Sequence, residues 1–305
     1  MRLSNVLSTL VLLAMCNACI SETVFTLPEV SKEVVVNGLL STDDSLNVQL
    51  SWSGKVNEVE FLPVRGAQVS VLEDKTQRYV LLESADGLYY HPYKPKTGSV
   101  YELEVLLDGH SPITAVDSIP GRASFKAYLT EPIASNFNGN QDLILEISEG
   151  EEGSSRWVSV NMFRYSIQNR DSLGRTTQLS SNSIYLDDFN SEINNASGLN
   201  DFKIMSRIIP GILNPVSIKY NIVNQLSTLK RKGERLELTY LTASLTFDKY
   251  LKSAITAYTN GVTNQYGKFN NPFGQYLVTY SNVQNGLGIW AAGAYEKVIL
   301  VEGTD

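Results

Sequence analysis

Alternation of apolar and polar residues at a period of two is the feature that most constrains how this chain folds. Residues Leu46–Ser53 alternate without a break, and Tyr101–Val105 repeat the pattern, as half-buried strands do. Continuous apolar runs at Val34–Val36 and Tyr79–Leu82 predict buried strands. Turn signals such as Asp-Gly and Thr-Gly separate these segments at a spacing of roughly 8–12 residues. The pattern predicts a β-sandwich over residues 33–120.

The second half of the chain is also predicted to be mainly β. Pro120-Gly121 interrupts the strand pattern, so a boundary is placed there, and residues 121–305 are interpreted as a larger β domain, either a sandwich or a partial barrel. Its clearest strands are Leu143–Ile147, Trp157–Tyr165, Leu236–Leu241 and Val298–Val301. Polar stretches at 168–183 and 187–201, rich in Ser, Asn and Asp, are interpreted as exposed loops whose role the sequence leaves open.

One helix is predicted near residues 246–259. Its apolar residues fall on a single stripe, as in a helix that packs against a core: Phe247, Tyr250, Leu251, Ile255 and Tyr258. Thr246 is the expected N-cap, and Asn260-Gly261 is the expected stop. The complete fold prediction is therefore mainly β, an immunoglobulin-like sandwich plus a larger β domain, sandwich or partial barrel, with one packed helix.

The N-terminus has the pattern of a lipoprotein leader. Arg2 precedes the apolar run Leu3–Met15, which is too short to span a bilayer, and Cys16-Asn17-Ala18-Cys19 follows. The small residue Ala18 favours Cys19 as the lipidated residue, which would carry acyl chains such as palmitate. Residues 1–18 are then the signal peptide and 19–32 a tether. Lipidation of Cys16, or an ordinary secretory peptide, are the alternatives.

Composition excludes several classes of function. The 305 residues are 43% hydrophobic and 19% charged, which is enough to bury a core. The net charge of −7 gives no general attraction for nucleic acid, so nucleic-acid binding is not expected. Both cysteines lie in the leader or at its cleavage site. The body of the protein therefore has no disulfide, catalytic thiol or thiolate metal site.

No constellation for catalysis, metal binding or cofactor binding stands out. His91 and His110 are not at ligand spacing, and no Gly-x-Ser-x-Gly elbow is present. Gly286-Leu287-Gly288 lacks a third glycine, so it is interpreted as a tight turn or as close packing against the helix. Acidic pairs are interpreted as solvated: Asp43-Asp44, Glu151-Glu152 and Asp187-Asp188. We expect no enzyme, cofactor or metal, and a hydrolase is the weakest of three hypotheses.

Aromatic side chains are the remaining candidates for binding. Trp52 and Trp157 fall on the apolar faces of strands, which favours core packing. Tyr90 points away from the face of Tyr89, and Tyr93 lies in a Pro-rich turn. Tyr90 and Tyr93 are therefore the predicted contacts for a ligand or partner.

Several segments together resemble a known family. They are Glu33–Leu40, Pro63–Val71, Asp86–Tyr89, Gly98–Leu103, Phe247–Tyr258, Asn271–Phe273 and Tyr280–Trp290. The combined pattern resembles a bacterial lipoprotein family catalogued as a domain of unknown function, number 4249, typical of the Bacteroidota. The segments from Pro63 to Leu103 also resemble a carboxypeptidase-regulatory or transthyretin-like sandwich. The resemblance spans nearly the whole chain after the leader and is weakest over residues 130–235.

The resemblance implies a function without implying a catalytic residue. It suggests an outer-membrane lipoprotein of a Gram-negative bacterium, often encoded beside a TonB-dependent transporter of the starch-utilisation type. We therefore expect an accessory subunit of such a transport complex, with the transporter as partner and the membrane reached through Cys19. The alternative is a stand-alone surface lipoprotein that binds glycan, peptide or protein. Only Glu22 follows the anchor closely, so surface and periplasmic orientations both stay open, with the surface favoured.

Overall fold

The computed structural model describes residues 31–304 with internal gaps. The gaps are 55–61, 123, 131–140, 149–153, 167–170, 178, 181–182, 184–185, 188–205, 209–214, 223–231 and 261–278. Cys16 and Cys19, the leader and most of the predicted tether lie outside the described residues. Within the described residues, no helix is long and apolar enough to cross a membrane.

Strands make up most of the described chain, which confirms the prediction of a mainly β fold with one helix. In the first half they are β1 (Val34–Leu40), β2 (Leu46–Trp52), β3 (Gln68–Glu73), β4 (Gln77–Ala85), β5 (Leu88–His91), β6 (Val100–Leu106) and β7 (Ile113–Ser118). In the second half they are β8 (Phe125–Leu129), β9 (Gln141–Ile147), β10 (Ser154–Ser166), β11 (Asp171–Thr177), β12 (Leu179–Ser180), β13 (Ser206–Ile208), β14 (Val216–Ile222), β15 (Arg235–Ser244) and β16 (Leu287–Glu302). The helix α1 (Leu245–Asn260) connects from β15.

The strands form two sheets. The larger follows the order β11-β10-β15-β16-β1-β2-β5-β4-β3-β6-β7, with β13 paired to β10, and the smaller follows β12-β14-β9-β8. Strand β4 turns the larger sheet back on itself, because Leu81 pairs with β3 whereas Leu82 pairs with β5. This fold brings β1, β2 and β5 over β3, β6 and β7 and encloses the first hydrophobic core.

Two further cores lie on opposite faces of β10 and β15. Val158, Leu236 and Leu238 face the smaller sheet and pack on β9 and β14. Trp157 and Leu241 have the opposite parity and therefore face α1, as expected from the two-residue period of a strand. The middle layer is thus covered on both sides, which explains why nine of the ten residues of β15 are buried.

Strand β16 belongs to both halves of the chain. Its first residues pair in parallel with β1, from Val35–Leu287 to Leu40–Ala292. Its remaining residues pair antiparallel with β15, from Ala243–Gly293 to Arg235–Glu302. Residues Glu33–Asp305 form one compact unit. The proposed boundary at residue 120 stays a prediction, and no local pattern indicates that one strand pairs with both halves of the chain.

Trp290 anchors this shared strand in the first core. Its side chain is fully buried, and its indole N–H donates to the Tyr101 carbonyl oxygen at 3.1 Å. Space for the ring exists because Gly38 on β1 has no side chain, since a Cβ there would lie 2.4 Å from the ring carbon Cε3 of Trp290. Gly288 has φ +98° and lies against the backbone of Val36. Gly286 and Gly288 therefore lie against the backbone of β1 and not against the helix, and the other predicted possibility, a tight turn, is found at Asn285.

Two local predictions differ from the structure, and a third is not tested by it. The run Tyr79–Leu82 is not a buried strand, because the side chains of Val80 and Leu82 point outward and only Leu81 is fully buried. The polar stretch 168–183 is not a simple loop, since it contains β11 and β12. Most of 187–201 lies outside the described residues.

The helix begins earlier than its sequence pattern suggested. Ser244 is the cap rather than Thr246, because the Ser244 Oγ accepts the backbone N–H of Phe247 at 3.0 Å. The serine is the last residue of β15, so its capping role depends on a strand-to-helix turn without an intervening loop.

We predict that Gly38→Ala destabilises the fold by about 1–3 kcal/mol, because the added methyl group overpacks the Trp290 ring. Asn37→Ala, an exposed change one residue earlier on β1, should stay within about 0.5 kcal/mol of the wild type. Urea unfolding measures both. A Gly38→Ala protein as stable as the Asn37→Ala protein would contradict the packing described here.

Candidate functional site

The first sandwich has two ends, which we call the base and the tip. The base is where β1 begins, with Val34 opposite Trp52 and Val35 opposite Leu287. The tip is where β3 and β5 end, and it borders the second half of the molecule. Strand β1 has seven residues, so the two ends are separated by roughly 23 Å at about 3.3 Å per residue.

Both predicted contact residues lie at the tip. Tyr90 on β5 is 42% exposed, and its hydroxyl lies 3.4 Å from the Ser45 Oγ. Tyr93, just beyond β5, is only half-exposed, because its hydroxyl turns inward to Glu73. Both tyrosines therefore lie at the tip, and Tyr90 is the more exposed of the two.

Glu73 is the centre of this region and was not singled out from the sequence. Its carboxylate receives three tyrosine hydroxyls at 2.8 Å: Tyr79 donates to Oε2, while Tyr93 and Tyr101 donate to Oε1. The sequence of β3 contains a pattern that points to Glu73. Val69, Val71 and Glu73 alternate with outward-facing residues, so the carboxylate lies on the same face as two core valines. A carboxylate at the end of an otherwise apolar face required partners, and the sequence pattern did not show that tyrosines supply them.

The tyrosine rings form a compact aromatic surface around the carboxylate. Tyr79 and Tyr93 stack with ring centroids 4.0 Å apart, and His91 lies 5.2 Å from the Tyr79 ring. The Lys96 ammonium lies 5.8 Å from the centroid of Tyr93. We call Tyr79, Tyr90, His91, Tyr93 and Lys96 the tip surface. Glu73 orders the tip surface, because its carboxylate holds the rings of Tyr79 and Tyr93 in place.

Electrostatics keep this cluster in fixed protonation states. Burial raises the pKa of Glu73, but the hydrogen bonds from Tyr93, Tyr101 and Tyr79 and the charge of Lys96 outweigh it, so the pKa lies below the ordinary value. Burial raises the pKa of Tyr101 to about 12, and the pKa values of Tyr79 and Tyr93 are also raised. Near neutral pH the cluster is one carboxylate with three neutral phenols. It is suited to holding a surface in shape rather than to transferring protons.

A second buried polar cluster attaches the helix. Asp248, in the first turn of α1, accepts two hydrogen bonds from Arg207 on β13 at 2.7 and 2.8 Å. It also accepts the Ser155 hydroxyl at 2.6 Å and the indole N–H of Trp157 at 3.0 Å. Arg207 further pairs with Asp187. Asp187 was predicted to be solvated, and it is instead a half-buried partner of a buried guanidinium.

These charges also stabilise one another. Burial raises the pKa of Asp248, but the bonds from Arg207 and Ser155 outweigh it and hold the pKa below the usual range. Burial lowers the pKa of Arg207, but its bonds to Asp248 and Asp187 outweigh burial, so the pKa is raised. Trp157 is fully buried beside them, which confirms its prediction as a core residue. The cluster fixes α1 to β10 and β13, a structural role.

Asp117 lies where the tip meets the start of α1. It stands opposite Tyr101, which stands opposite Glu73, so two buried carboxylates occupy one cross-strand row. The Ser244 hydroxyl donates to Asp117 at 2.5 Å. Burial raises the pKa of Asp117 to about 6, although this hydrogen bond and others favour the ionised form. Asp117 therefore links β7 to the cap of the helix.

Within the part of the chain that the structure describes, the histidines and acidic pairs singled out in the sequence do not converge on one site. His91 contacts Tyr79 at the tip, whereas His110 lies against Trp52 at the base with ring centroids 5.3 Å apart. Asp43 pairs with Arg122 at 2.9 Å, and Glu151-Glu152 lies outside the described residues. Among the residues that the structure describes, no three His, Cys, Asp or Glu side chains converge as a metal site would require.

The fold and these sites define a class: a mainly β protein with a sandwich, a second two-layer β region and one helix fixed by buried ion pairs. Comparison with protein families gives the particular family. A family model described as a domain of unknown function (DUF4249) matches residues 20–298, so the chain belongs to the DUF4249 family. A comparison with curated proteins found no match.

We predict that Glu73→Gln lowers the free energy of unfolding by about 1–3 kcal/mol at pH 7, because the three hydroxyls lose a charged acceptor. Since the pKa of Glu73 is lowered in the fold, the advantage of the wild type exists above the ordinary carboxyl pKa and is lost as the pH falls below it. Urea unfolding at pH 7 and at acidic pH measures this. The matched control Glu102→Gln, on the outer face of β6, should change little, and equal effects of both changes would contradict the role of Glu73.

Asp117 gives the opposite dependence on pH. Its raised pKa means that its stabilising contribution is complete below the ordinary value near 4 and is lost as the pH rises through about 6. A shift of about two units corresponds to at most about 3 kcal/mol. Relative to Asp117→Asn, the wild type should therefore lose stability between pH 4 and pH 7 in urea titrations. A constant difference between the two proteins over that range would show that Asp117 does not titrate in this way.

Proposed function

We propose that this protein is a non-catalytic, lipid-anchored outer-membrane protein that serves as an accessory subunit of a TonB-dependent, starch-utilisation-type transport complex. The observation that carries the proposal is that the tether and the tip surface lie at opposite ends of the sandwich. Its base is where the chain emerges from the segment that follows Cys19, and the tip surface lies at the opposite end of β1 and β2. An anchored protein of this form would hold Tyr90 away from the membrane, with a surface-exposed orientation favoured.

The tether sets how far the fold can move from the membrane. Residues 20–32 provide thirteen residues between Cys19 and Glu33, which span at most about 45 Å when extended. Confinement to this layer raises the effective concentration of the protein beside any transporter in the same membrane. A modest contact surface would then suffice for association.

The tip surface is the best candidate for that contact. Aromatic residues dominate binding energy at interfaces because they bury a large area at little cost in conformational entropy. Tyr90 is exposed, while Tyr79 and Tyr93 are held rigidly by Glu73, so little order would be lost on binding. Lys94 and Lys96 add exposed positive charge beside the rings.

The buried ionisable groups support a non-catalytic role. Glu73, Asp117, Asp248 and Arg207 each satisfy their charge or polarity within the fold through the contacts described above. Each of these contacts joins strands to one another or to the helix. They have the character of structural polar clusters, in which the protonation state is fixed rather than exchanged.

The second candidate is a stand-alone surface lipoprotein that binds a soluble glycan, peptide or protein. The same tip surface would serve, since stacked tyrosines with flanking lysines suit either kind of contact. The two candidates differ in whether a transporter is needed.

Affinity purification from outer membranes separates the two candidates. A tag placed after residue 305 and extraction in mild detergent should recover a TonB-dependent transporter in stoichiometric amount. Tyr90→Ser should lower that recovery by about tenfold, the effect of removing one aromatic anchor. Tyr128→Ser on β8 is the matched control, because Tyr128 is 45% exposed and lies outside the tip surface.

Each result decides between the candidates. Recovery of the lipoprotein alone would contradict the accessory role and would favour the stand-alone binding protein. Recovery of a transporter that Tyr90→Ser and Tyr128→Ser affect equally would retain the complex but exclude the tip surface as its contact.

A further inference from the structure

We propose that the base of the sandwich rests on the lipid bilayer, with Trp52, Leu62 and Leu287 inserted at the level of the headgroups. We call these three residues the basal rim. This inference rests on the proposed lipid anchor and adds to it a second, non-covalent contact with the same membrane. It concerns the opposite end of the sandwich from the tip surface.

The strand register places the three rim residues at the same end of the sheet, with Leu287 on the opposite sheet face from Trp52. Val34 and Val35 on β1 stand opposite Trp52 and Leu287, respectively. The Trp52 backbone N–H donates to the Leu62 carbonyl oxygen at 2.8 Å. The three residues therefore lie on neighbouring segments at the same end of the sheet, at spacings of about 4.8 Å per strand.

The rim residues expose more apolar surface than packing in the first core requires. Leu62 is 47% exposed and Leu287 is 42% exposed. Trp52 only partly reaches the first core, and its outer side meets the exposed His110. Trp290 and Trp157, in contrast, are fully buried. Trp52 is thus the tryptophan that can reach a surface outside the fold.

The apolar area continues on the neighbouring strands. Gln68 starts β3 and stands opposite Leu106, the last residue of β6. Leu106 is 39% exposed and lies at the base end of its strand, so it adds apolar surface beside the rim.

The position of the tether identifies lipid as the occupant. Thirteen residues connect Cys19 to Glu33, the residue that bonds to Ser53 at the base. An anchored chain therefore keeps the base, where the tether enters the fold, within about 45 Å of the bilayer. Tryptophan is enriched at membrane interfaces because its ring is apolar and its N–H is polar. The nearby charged pair Arg65–Asp86 is balanced, so it does not oppose the approach.

The experiment uses the mature lipidated protein reconstituted in phosphatidylcholine vesicles. Lipids brominated near the headgroup quench a tryptophan that lies at that depth. We expect quenching of at most roughly one third of the total emission, because only Trp52 of the three tryptophans can reach the interface. Trp52→Phe should abolish the quenching. The double change Leu62→Ser and Leu287→Ser should reduce it at least twofold while the protein still floats with the vesicles.

A matched double change controls for the loss of exposed apolar area. Leu245→Ser and Ile299→Ser replace two exposed residues outside the rim and should leave the quenching unchanged. Flotation without quenching would overturn the basal contact and leave the lipid anchor intact. Failure to float would overturn the anchor and the basal contact together. Equal quenching in both double variants would also overturn the role of the rim.

Discussion

The pairing of one strand with both halves of the chain is the constraint on which the rest of the structure depends. Strand β16 pairs with β1 over its first residues and with β15 over the remainder. Trp290 fixes its position, because the ring fits only above Gly38 and its indole bonds to Tyr101. The Asn282 side chain also bonds to both the N–H and the C=O of Trp290. The base of the sandwich and the helical layer are therefore placed by the same strand.

Local periodicity predicted the elements but not their partners. Strands β2 and β6 followed from strict alternation, and α1 followed from its apolar stripe, because both patterns are local consequences of backbone geometry. The full length of β16 could not be predicted in this way, because its Gly- and Ala-rich start pairs with β1, and the paired residues Val35 and Leu287 are far apart in the sequence. The tip surface was predicted only in part: Tyr90 and Tyr93 were identified, whereas Glu73, which orders Tyr93, depends on cross-strand contacts that no local pattern contains.

The buried polar groups explain how the two regions stay attached. Glu73, Tyr101 and Asp117 form one cross-strand row at the tip, and Asp117 continues the row to Ser244 at the helix start. On the helix, Asp248 forms an ion pair with Arg207 of β13. Buried carboxylates are tolerated only with such partners, because an unpaired charge would be strongly destabilising. The arrangement uses these acidic side chains to hold the strands and the helix together.

The central claim of this account is that the chain is anchored at Cys19, because the anchor defines which end of the sandwich faces the membrane. Intact-mass spectrometry of the protein purified from membranes tests that claim most directly. The account predicts a chain that begins at Cys19 and carries the added mass of its acyl chains. A chain that begins after residue 19 without added lipid, or one lipidated at Cys16, would contradict it.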